Sequence, residues 1–137
     1  MAVREREWSL VVPHSASGAR RARHQLAVDL HDLIPPALLA DAVAVVAELL
    51  GNAIRHAAPL PGGVIRLSCR ACVSGADDVV VRLEVTDGGS TLVPVERPAS
   101  PDSVDGRGLA IVAALARSWG VERGTAGQSV WAELAIG

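Results

Sequence analysis

The clearest pattern along the chain is an alternation of apolar and polar positions near its middle. Between residues 79 and 86 every odd position is apolar, whereas the even positions include Arg82, Glu84 and Thr86. A period of two with one apolar side is typical of a half-buried strand. Five strands are predicted in this way from apolar runs and the turn residues that bound them, at Trp8–Val12, Val64–Val73, Val79–Thr86, Trp119–Glu122 and Ser129–Ile136.

Three helices are predicted from capping residues, prolines and helical spacing. The first extends over about residues 18–32, with Ser15 or Ser17 as its cap. The second extends over about residues 35–57 and opens on two prolines, which are tolerated in a first helical turn because the missing N–H has no partner there. The third begins at a glycine-rich segment and extends over about residues 106–118.

The order of these elements predicts an α/β fold. Residues 90–105 carry prolines, serines and charges without periodicity, so we interpret them as a mobile loop of functional importance. Because the strands mostly follow one another, they are expected to pair in a mixed, mostly antiparallel sheet with the helices on one face. This arrangement is a two-layer sandwich, and a length of 137 residues fits one domain spanning residues 1–137.

The composition limits which residues can form the core and which kinds of catalytic or binding site the chain can contain. Half of the residues are hydrophobic, with three Trp and neither Phe nor Tyr, so the core is expected to consist of Ala, Val, Leu and Ile. All 13 basic residues are Arg, which excludes Schiff-base chemistry and a Walker A lysine. A net charge of -2 gives no basic excess for nucleic acid or an anionic membrane.

The N-terminus suggests a cytoplasmic location. The first ten residues, MAVREREWSL, lack the apolar segment of a signal peptide. No apolar run is expected to approach the length that spans a bilayer. With two cysteines and no disulfide framework, we expect a reduced cytoplasmic protein that binds neither membrane nor nucleic acid.

The second predicted helix carries a polar stripe on an apolar background. Glu48, Asn52 and His56 recur every four residues and therefore project from one side. Glu48 is the one charged residue between Ala42 and Ile54. A carboxylate one turn from an amide suits a divalent cation or a proton transfer, whereas a narrow solvated stripe would look the same. His56 lies near the helix end, where a structural role is the better interpretation.

Two glycine-rich segments could contact a ligand. Asp87-Gly88-Gly89 ends a strand, where the carboxylate can accept a hydrogen bond from an amine and glycine permits a close approach. Gly106-Arg107-Gly108 opens a helix, where free N–H groups attract phosphate and a guanidinium can bind two of its oxygens. Taken singly, these segments are equally explained as an ordinary turn and a flexible helix cap.

Cys69-Arg70-Ala71-Cys72 is interpreted as structural. It lies within a predicted strand, where residues three apart point to opposite faces. A second cysteine pair that could complete a zinc site is absent from the sequence. We therefore expect neither a redox nor a metal site from this motif.

The three weak signals occur in a fixed order that resembles a known superfamily. Glu48-x-x-x-Asn52, Asp87-x-Gly89 and Gly106-x-Gly108 resemble the N, G1 and G2 boxes of the GHKL ATPases, which include histidine kinases and gyrase-type topoisomerases. Within that superfamily, the segments AELLGNAIRHA, GRGLAIVAALARSWG and GQSVWAEL look like those of anti-sigma-factor serine kinases. The likeness covers roughly residues 8–136.

The resemblance implies a Bergerat ATP-binding fold and a role for each matching residue. Residues 90–105 become the lid over ATP, and the second glycine of the fuller G1 pattern is replaced here by Thr91. The resemblance implies that Glu48 is the general base and that Asn52 coordinates magnesium. It implies that Asp87 bonds the adenine amine, that Gly89 leaves room for adenine, and that Ser129, where relatives carry Thr, lies near adenine. It also implies that Gly106 and Gly108 cradle the phosphates and that Arg107 contacts the terminal phosphate.

The resemblance also implies a function and partners. The chain would bind ATP and magnesium and phosphorylate a serine or threonine of an anti-sigma-factor antagonist of the STAS type, with a sigma factor as a second partner and a homodimer as the assembly. One alternative is a binding module that switches partners without transferring phosphate. Another is a detached catalytic domain of a histidine kinase, for which the preceding helical segment with an acceptor histidine is missing from the sequence.

Overall fold

The computed structural model describes residues 3–89, 104–125 and 127–136. Its elements follow the predicted order of strand, helix, helix, strand, strand, helix, strand and strand. Their bounds are β1 Arg4–Pro13, α1 Ala16–Leu30, α2 Pro36–His56, β2 Val64–Gly75, β3 Asp78–Asp87, α3 Val104–Leu115, β4 Ser118–Arg123 and β5 Gln128–Ile136.

The strands form one open sheet in the order β1-β2-β3-β5-β4, and each pairing in the described part of the chain is antiparallel. The prediction was a mixed, mostly antiparallel sheet, and the described strands pair in the antiparallel way throughout. One face of the sheet is covered by the helices and the other is polar, which confirms the two-layer α/β sandwich. The covered face carries Trp8, Leu10 and Val12 of β1, Ile65, Leu67, Cys69 and Ala71 of β2, Val79, Val81, Leu83 and Val85 of β3, and Val130, Ala132 and Leu134 of β5.

Helix α1 begins at the predicted cap and is held against the edge of the sheet. The Ser15 hydroxyl accepts a hydrogen bond from the Gly18 N–H at 3.1 Å, which satisfies one of the free donors of the first turn. At the other end, the Arg6 guanidinium lies 3.3 Å from the Asp32 carboxylate and also donates to the backbone carbonyl of Asp29. This guanidinium holds the pKa of Asp32 below its usual range.

Helix α2 is the central element of the helical layer. It packs on β3 and β5 and contacts both other helices, which explains its almost continuous apolar composition. The expectation that no apolar run reaches bilayer length is wrong for this helix, which has 21 residues and a mean hydropathy of 1.8. Because α2 packs against the sheet and between two helices, we interpret it as a core helix, for which such a composition is ordinary.

Several element boundaries differ from the predictions, most notably at β1, at α3 and at the end of the predicted lid. Strand β1 begins at Arg4 because its charged residues pair with β2, and Glu5 lies 2.7 Å from Arg70 across the two strands. Helix α3 begins at Val104, two residues before the predicted start at Gly106, so the Gly106–Gly108 segment lies within its first turns. The predicted lid at 90–105 therefore ends earlier, and its residues 90–103 lie outside the described residues.

The two cysteines are separated by the sheet, as the strand interpretation predicts. Cys69 is buried on the covered face, and burial raises the pKa of its thiol to about 12, whereas Cys72 is half-buried on the other face. Two cysteines on opposite faces of the sheet do not form a redox pair.

In the folded chain at pH 8, a maleimide is expected to modify Cys72 and to leave Cys69 largely unmodified. The reactive species is the thiolate, so the raised pKa and burial slow Cys69 by about 100-fold or more. Peptide mass spectrometry after timed alkylation measures both rates. Unfolding in guanidinium chloride is the control and should equalise the rates, whereas equal rates in the folded chain would contradict this arrangement.

Candidate functional site

Asp87 ends the row of β3 residues that face the helical layer. It follows Val85 at the spacing of two that keeps side chains on one face, and it is 3% exposed. One carboxylate oxygen, Oδ1, accepts a hydrogen bond from the Gly89 N–H at 2.7 Å. Burial raises the pKa of Asp87, and the Gly89 N–H and the nearby His14 act in the opposite direction. The sheet thus places a desolvated hydrogen-bond acceptor at the edge of the core.

The two glycines after Asp87 are required for different reasons. Gly88 donates its N–H to the Ala58 carbonyl at 2.7 Å, and a Cβ on Gly88 would lie 2.1 Å from the Pro59 carbonyl oxygen. Gly89 has a φ of 94°, a conformation that side chains disfavour, with open space where a Cβ would stand. The chain leaving α2 is therefore joined by backbone hydrogen bonds to the end of β3.

The polar stripe of α2 lies on the same helix whose exit contacts Gly88. Asn52 is buried at 9% exposure, and its Oδ1 accepts a long hydrogen bond of 3.5 Å from the Arg55 guanidinium. Glu48, one turn earlier, is half-buried. An amide oxygen and a carboxylate thus project from one side of a helix that otherwise contributes apolar residues to the core.

His14 is a site residue that the sequence analysis did not identify. Its Nε2 lies 2.9 Å from the Ala53 carbonyl oxygen and 3.0 Å from the Ala57 carbonyl oxygen. Because carbonyl oxygens only accept, Nε2 must carry a proton and donate to both. His14 therefore fixes the last turn of α2 next to Asp87. The contact joins residues about 40 positions apart, and the local sequence gives no signal for it.

Ser129, which the resemblance placed near adenine, and its neighbour Gln128, to which the sequence analysis gave no role, lie on opposite faces of the sheet. The register pairs Asp87 with Gln128 and Thr86 with Ser129. Cross-strand partners share a face, so Gln128 lies beside Asp87, whereas the Ser129 hydroxyl lies 2.8 Å from the Thr86 hydroxyl on the opposite face. Gln128 is 4% exposed and its Oε1 has no hydrogen-bond partner among the described residues. Position 128 was missed because β5 was predicted to begin one residue later.

A family model described as the histidine kinase-like ATPase domain matches residues 12–134 of the chain. The chain belongs to this family. No curated protein matches it. Among solved structures, it is similar to the crystal structure of the RsbU and RsbW domains of Rv1364c from Mycobacterium tuberculosis, with 20% identity and a TM-score of 0.68. The match covers 96% of this chain and 32% of that one, so this ATPase domain spans about a third of the solved chain. At this identity, the likeness concerns the fold.

The Gly106-Arg107-Gly108 segment lies on α3, which packs against α2 in this ATPase domain. Gly106 belongs to the first turn, whose amide groups lack partners within the helix. The side chain of Arg107 lies outside the described residues. The predicted phosphate-binding segment is therefore on a helix that packs against α2, the helix that carries Asn52, and the contact of Arg107 with phosphate stays a prediction.

The described residues offer few ligands for a metal. They contain no group of three His, Cys, Asp or Glu side chains that could hold an ion. Magnesium bound with a nucleotide takes most of its ligands from phosphate oxygens and waters and needs one or two protein oxygens. Asn52 on α2 offers an oxygen of that kind, and Glu48 lies one turn before it.

A groove of about 370 Å³ lies between α1 and α2. Its walls include three arginines, Arg20, Arg23 and Arg55, above a floor of small and aliphatic side chains. None of the residues predicted to contact ATP lines it. Arg55 connects the two regions, since it lines the groove and donates to Asn52.

Proposed function

We propose that this chain binds ATP between α2 and the end of β3 and acts as a protein serine/threonine kinase that regulates an anti-sigma-factor antagonist. The observation that supports this proposal best is the buried Asp87 carboxylate beside Gly88 and Gly89, joined to the exit of the helix that carries Glu48 and Asn52. Family membership supports the ATP-binding part. The kinase activity and the partner rest on the resemblance to anti-sigma-factor kinases and on the RsbW-like fold.

The adenine end of the site would be formed by Asp87 and Gly89. One Asp87 oxygen is held by the Gly89 N–H, and a carboxylate has a second oxygen that can accept from an exocyclic amine. The positive φ of Gly89 keeps the space next to its Cα open. A flat base can therefore approach the backbone at this turn more closely than a side chain would allow.

The phosphate end would lie along α2 and α3. In the proposal the amide oxygen of Asn52 on α2 would hold magnesium, and the N–H groups in the first turn of α3, which includes Gly106, would bind phosphate. Magnesium held there would supply positive charge that stabilises the charge developing on the phosphate oxygens. Gly108 and Arg107 extend this surface in the proposal.

Glu48 would act as the general base. A serine or threonine hydroxyl of the partner attacks the γ-phosphorus of ATP, and the bond from that phosphorus to the β–γ bridging oxygen breaks. ADP leaves and the hydroxyl proton passes to the Glu48 carboxylate. Phosphoryl transfer of this kind depends mainly on positioning and electrostatics, which a half-buried carboxylate one turn from Asn52 can supply.

The partner would be a small STAS-type antagonist, with a sigma factor as a competing ligand. The three arginines of the α1–α2 groove support binding of a protein segment that carries acidic and apolar residues. Because ATP and sigma factors are cytoplasmic, the proposal places the chain in the cytoplasm. Homodimer formation remains an implication of the resemblance.

A non-catalytic partner switch is a second candidate, which one contact favours. Arg55 lines the groove and also donates to Asn52, so occupancy of the nucleotide site could change partner affinity without phosphate transfer. Incubation with γ-labelled ATP and the STAS-type proteins of the same genome separates the two. Label on a partner serine or threonine supports the kinase, whereas ATP-dependent binding without label supports the switch.

An Asn52→Ala variant is expected to bind ATP with an affinity that no longer depends on magnesium. The ratio of the dissociation constants without and with magnesium should fall to near one, because alanine removes the proposed oxygen ligand. Calorimetric titrations at fixed nucleotide and varied magnesium measure this ratio. Gln25→Ala on the exposed side of α1 is the matched control. A magnesium effect unchanged in Asn52→Ala removes Asn52 from the metal site.

A further inference from the structure

Gly51 lies in the interior of helix α2, where glycine is an unfavourable residue. The helix extends over Pro36–His56, and Gly51 directly precedes Asn52 in it. Glycine destabilises a helix interior relative to alanine, because it loses more conformational freedom on folding. The backbone of Gly51 is helical and does not need the positive φ that only glycine adopts readily. The glycine therefore requires a reason other than its own backbone conformation.

The contact that accounts for Gly51 is made by the Arg55 guanidinium. A Cβ at position 51 would lie 2.8 Å from Nη1 of Arg55, 3.1 Å from Nη2 and 3.2 Å from Cζ. Side chains on a helix lean toward its N-terminus, and residues four apart are neighbours on its surface. Arg55 thus folds back along α2, and its guanidinium lies against the bare backbone of Gly51. A methyl group at position 51 would displace it.

This conformation brings a permanent positive charge to the Asn52 amide. Nη2 of Arg55 donates to Oδ1 of Asn52 at 3.5 Å, and Asn52 is buried. Arginine stays protonated at any physiological pH. The guanidinium therefore stands beside the oxygen atom that the proposed function assigns to magnesium.

A guanidinium at this position opposes a metal ion in two ways. It uses Asn52 Oδ1 as a hydrogen-bond acceptor, and its charge repels a divalent cation held by the same oxygen. Arg55 is exposed, so solvent and salt screen the repulsion. For a screened charge at this range, we expect an effect of about 3- to 10-fold on magnesium affinity.

Resting on the proposed ATP site, we infer that Arg55, folded against Gly51, restrains magnesium binding at Asn52. Gly51 is the positioning residue for this restraint, since it acts through Arg55 and leaves the space that the guanidinium occupies. Movement of the guanidinium away from Asn52 frees the amide oxygen and removes the repulsion. The glycine within α2 is then the consequence of a contact that sets how much magnesium the site requires.

Arg55→Met and Gly51→Ala test the inference from two sides. Methionine is unbranched like arginine and lacks its charge and its donors. In calorimetric titrations with ATP at varied magnesium, Arg55→Met should need about 3- to 10-fold less magnesium for half of the full gain in ATP affinity. Gly51→Ala should show a smaller change in the same direction, because it displaces the guanidinium but keeps the charge. Arg21→Met, an exposed arginine of α1 outside the groove lining, is the matched control and should leave the requirement unchanged.

The double variant shows whether the two residues act together. If Gly51 acts through Arg55, adding Gly51→Ala to Arg55→Met should not lower the magnesium requirement further. Additive effects of the two substitutions would mean that Gly51 acts independently, and they would overturn its role as a positioning residue.

Measurements without nucleotide separate the contact from the fold. In amide NMR spectra, the side-chain NH₂ signals of Asn52 should shift in Arg55→Met and in Gly51→Ala, and they should stay in place in Arg21→Met. The Tm of Gly51→Ala should equal or exceed that of the unmodified chain, because alanine favours a helix. Asn52 signals that move in neither variant overturn the inferred contact.

The outcomes distinguish this inference from the proposed function. If the unmodified chain binds ATP with magnesium and Arg55→Met binds it equally or more weakly, only the inference fails. If the unmodified chain binds no ATP with or without magnesium, the proposed function fails and the restraint with it. A lower magnesium requirement in both single variants, with no further change in the double variant, supports both.

Discussion

A Glu48→Gln variant is expected to bind ATP with nearly unchanged affinity and to phosphorylate its partner about 10²–10⁴-fold more slowly. Glu48 is half-buried on the side of α2 that also carries Asn52, and the proposal assigns its carboxylate to proton removal and not to contact with adenine. Glutamine preserves the shape and the polarity of the side chain and removes its basicity. The loss should therefore appear in the transfer step and not in nucleotide binding.

The measurement is single-turnover transfer of labelled γ-phosphate to a STAS-type partner, with ATP affinity determined by calorimetry on the same preparation. Glu84→Gln is the matched control, since Glu84 is a half-buried glutamate on the opposite face of the sheet. It should transfer phosphate at the unmodified rate. Normal transfer by Glu48→Gln would remove Glu48 from the role of base, and weak ATP binding by it would assign it to the nucleotide or the metal.

An Asp87→Asn variant is expected to lose ATP affinity by about 1.5–3 kcal/mol, on the order of 10–100-fold in Kd. The Gly89 N–H occupies one Asp87 oxygen at 2.7 Å. Asparagine has a single side-chain oxygen, which would remain with this N–H and turn its NH₂ group toward the adenine amine. Two donors would then face each other where the carboxylate presented an acceptor.

Asp87→Asn should not weaken the fold, so a loss of ATP affinity can be attributed to the binding site and not to unfolding. Because burial raises the pKa of Asp87, the folded state is less tolerant of the ionised carboxylate than the unfolded chain is. Its contribution to stability is therefore lost as the pH rises through the unfolded pKa toward the folded one. Above that window, Asp87→Asn should have an equal or higher Tm than the unmodified chain.

Calorimetric titration with ATP and thermal unfolding near pH 7 measure the two effects. Asp78→Asn is the matched control, because Asp78 is exposed at the opposite end of the same strand. It should change neither affinity nor Tm appreciably. Unchanged ATP affinity in a folded Asp87→Asn chain would remove Asp87 from the adenine site.

The fold was predictable where local patterns agree with the final packing. The alternation at 79–86 identified β3 because its odd positions face the helical layer and its even positions face the polar side. The cap at Ser15 and the proline pair at the start of α2 marked two helix starts. The strand order predicted a mixed, mostly antiparallel sheet, and each described pairing is antiparallel.

The residues that local patterns missed are those placed by long-range contacts. His14 became part of the site through carbonyl oxygens of α2, which no sequence spacing indicates. Gln128 was overlooked because a shift of one residue at the start of β5 exchanges the two faces of the sheet. The apolar length of α2 was underestimated because its polar residues lie within an otherwise continuous hydrophobic sequence.

Gly88 and Gly89 also show the difference between what the local sequence predicts and what tertiary contacts determine. Asp87-Gly88-Gly89 was predicted as a turn at a strand end, and that is where it lies. The separate reasons for Gly88 and Gly89 emerged only from the fold, because one depends on the Pro59 carbonyl oxygen and the other on a positive φ. The motif thus located the turn, and the tertiary contacts explained its two glycines.

The central claim is that the region between α2 and the end of β3 binds ATP, and calorimetric titration of the unmodified chain tests it most directly. The titration is run with and without magnesium, and thermal unfolding in the same buffers accompanies it. We predict saturable binding of one ATP per chain, strengthened by magnesium, together with a rise in Tm. A folded chain that shows neither heat nor a change in Tm at millimolar ATP would contradict the account and remove the roles assigned to Asp87, Asn52 and Glu48.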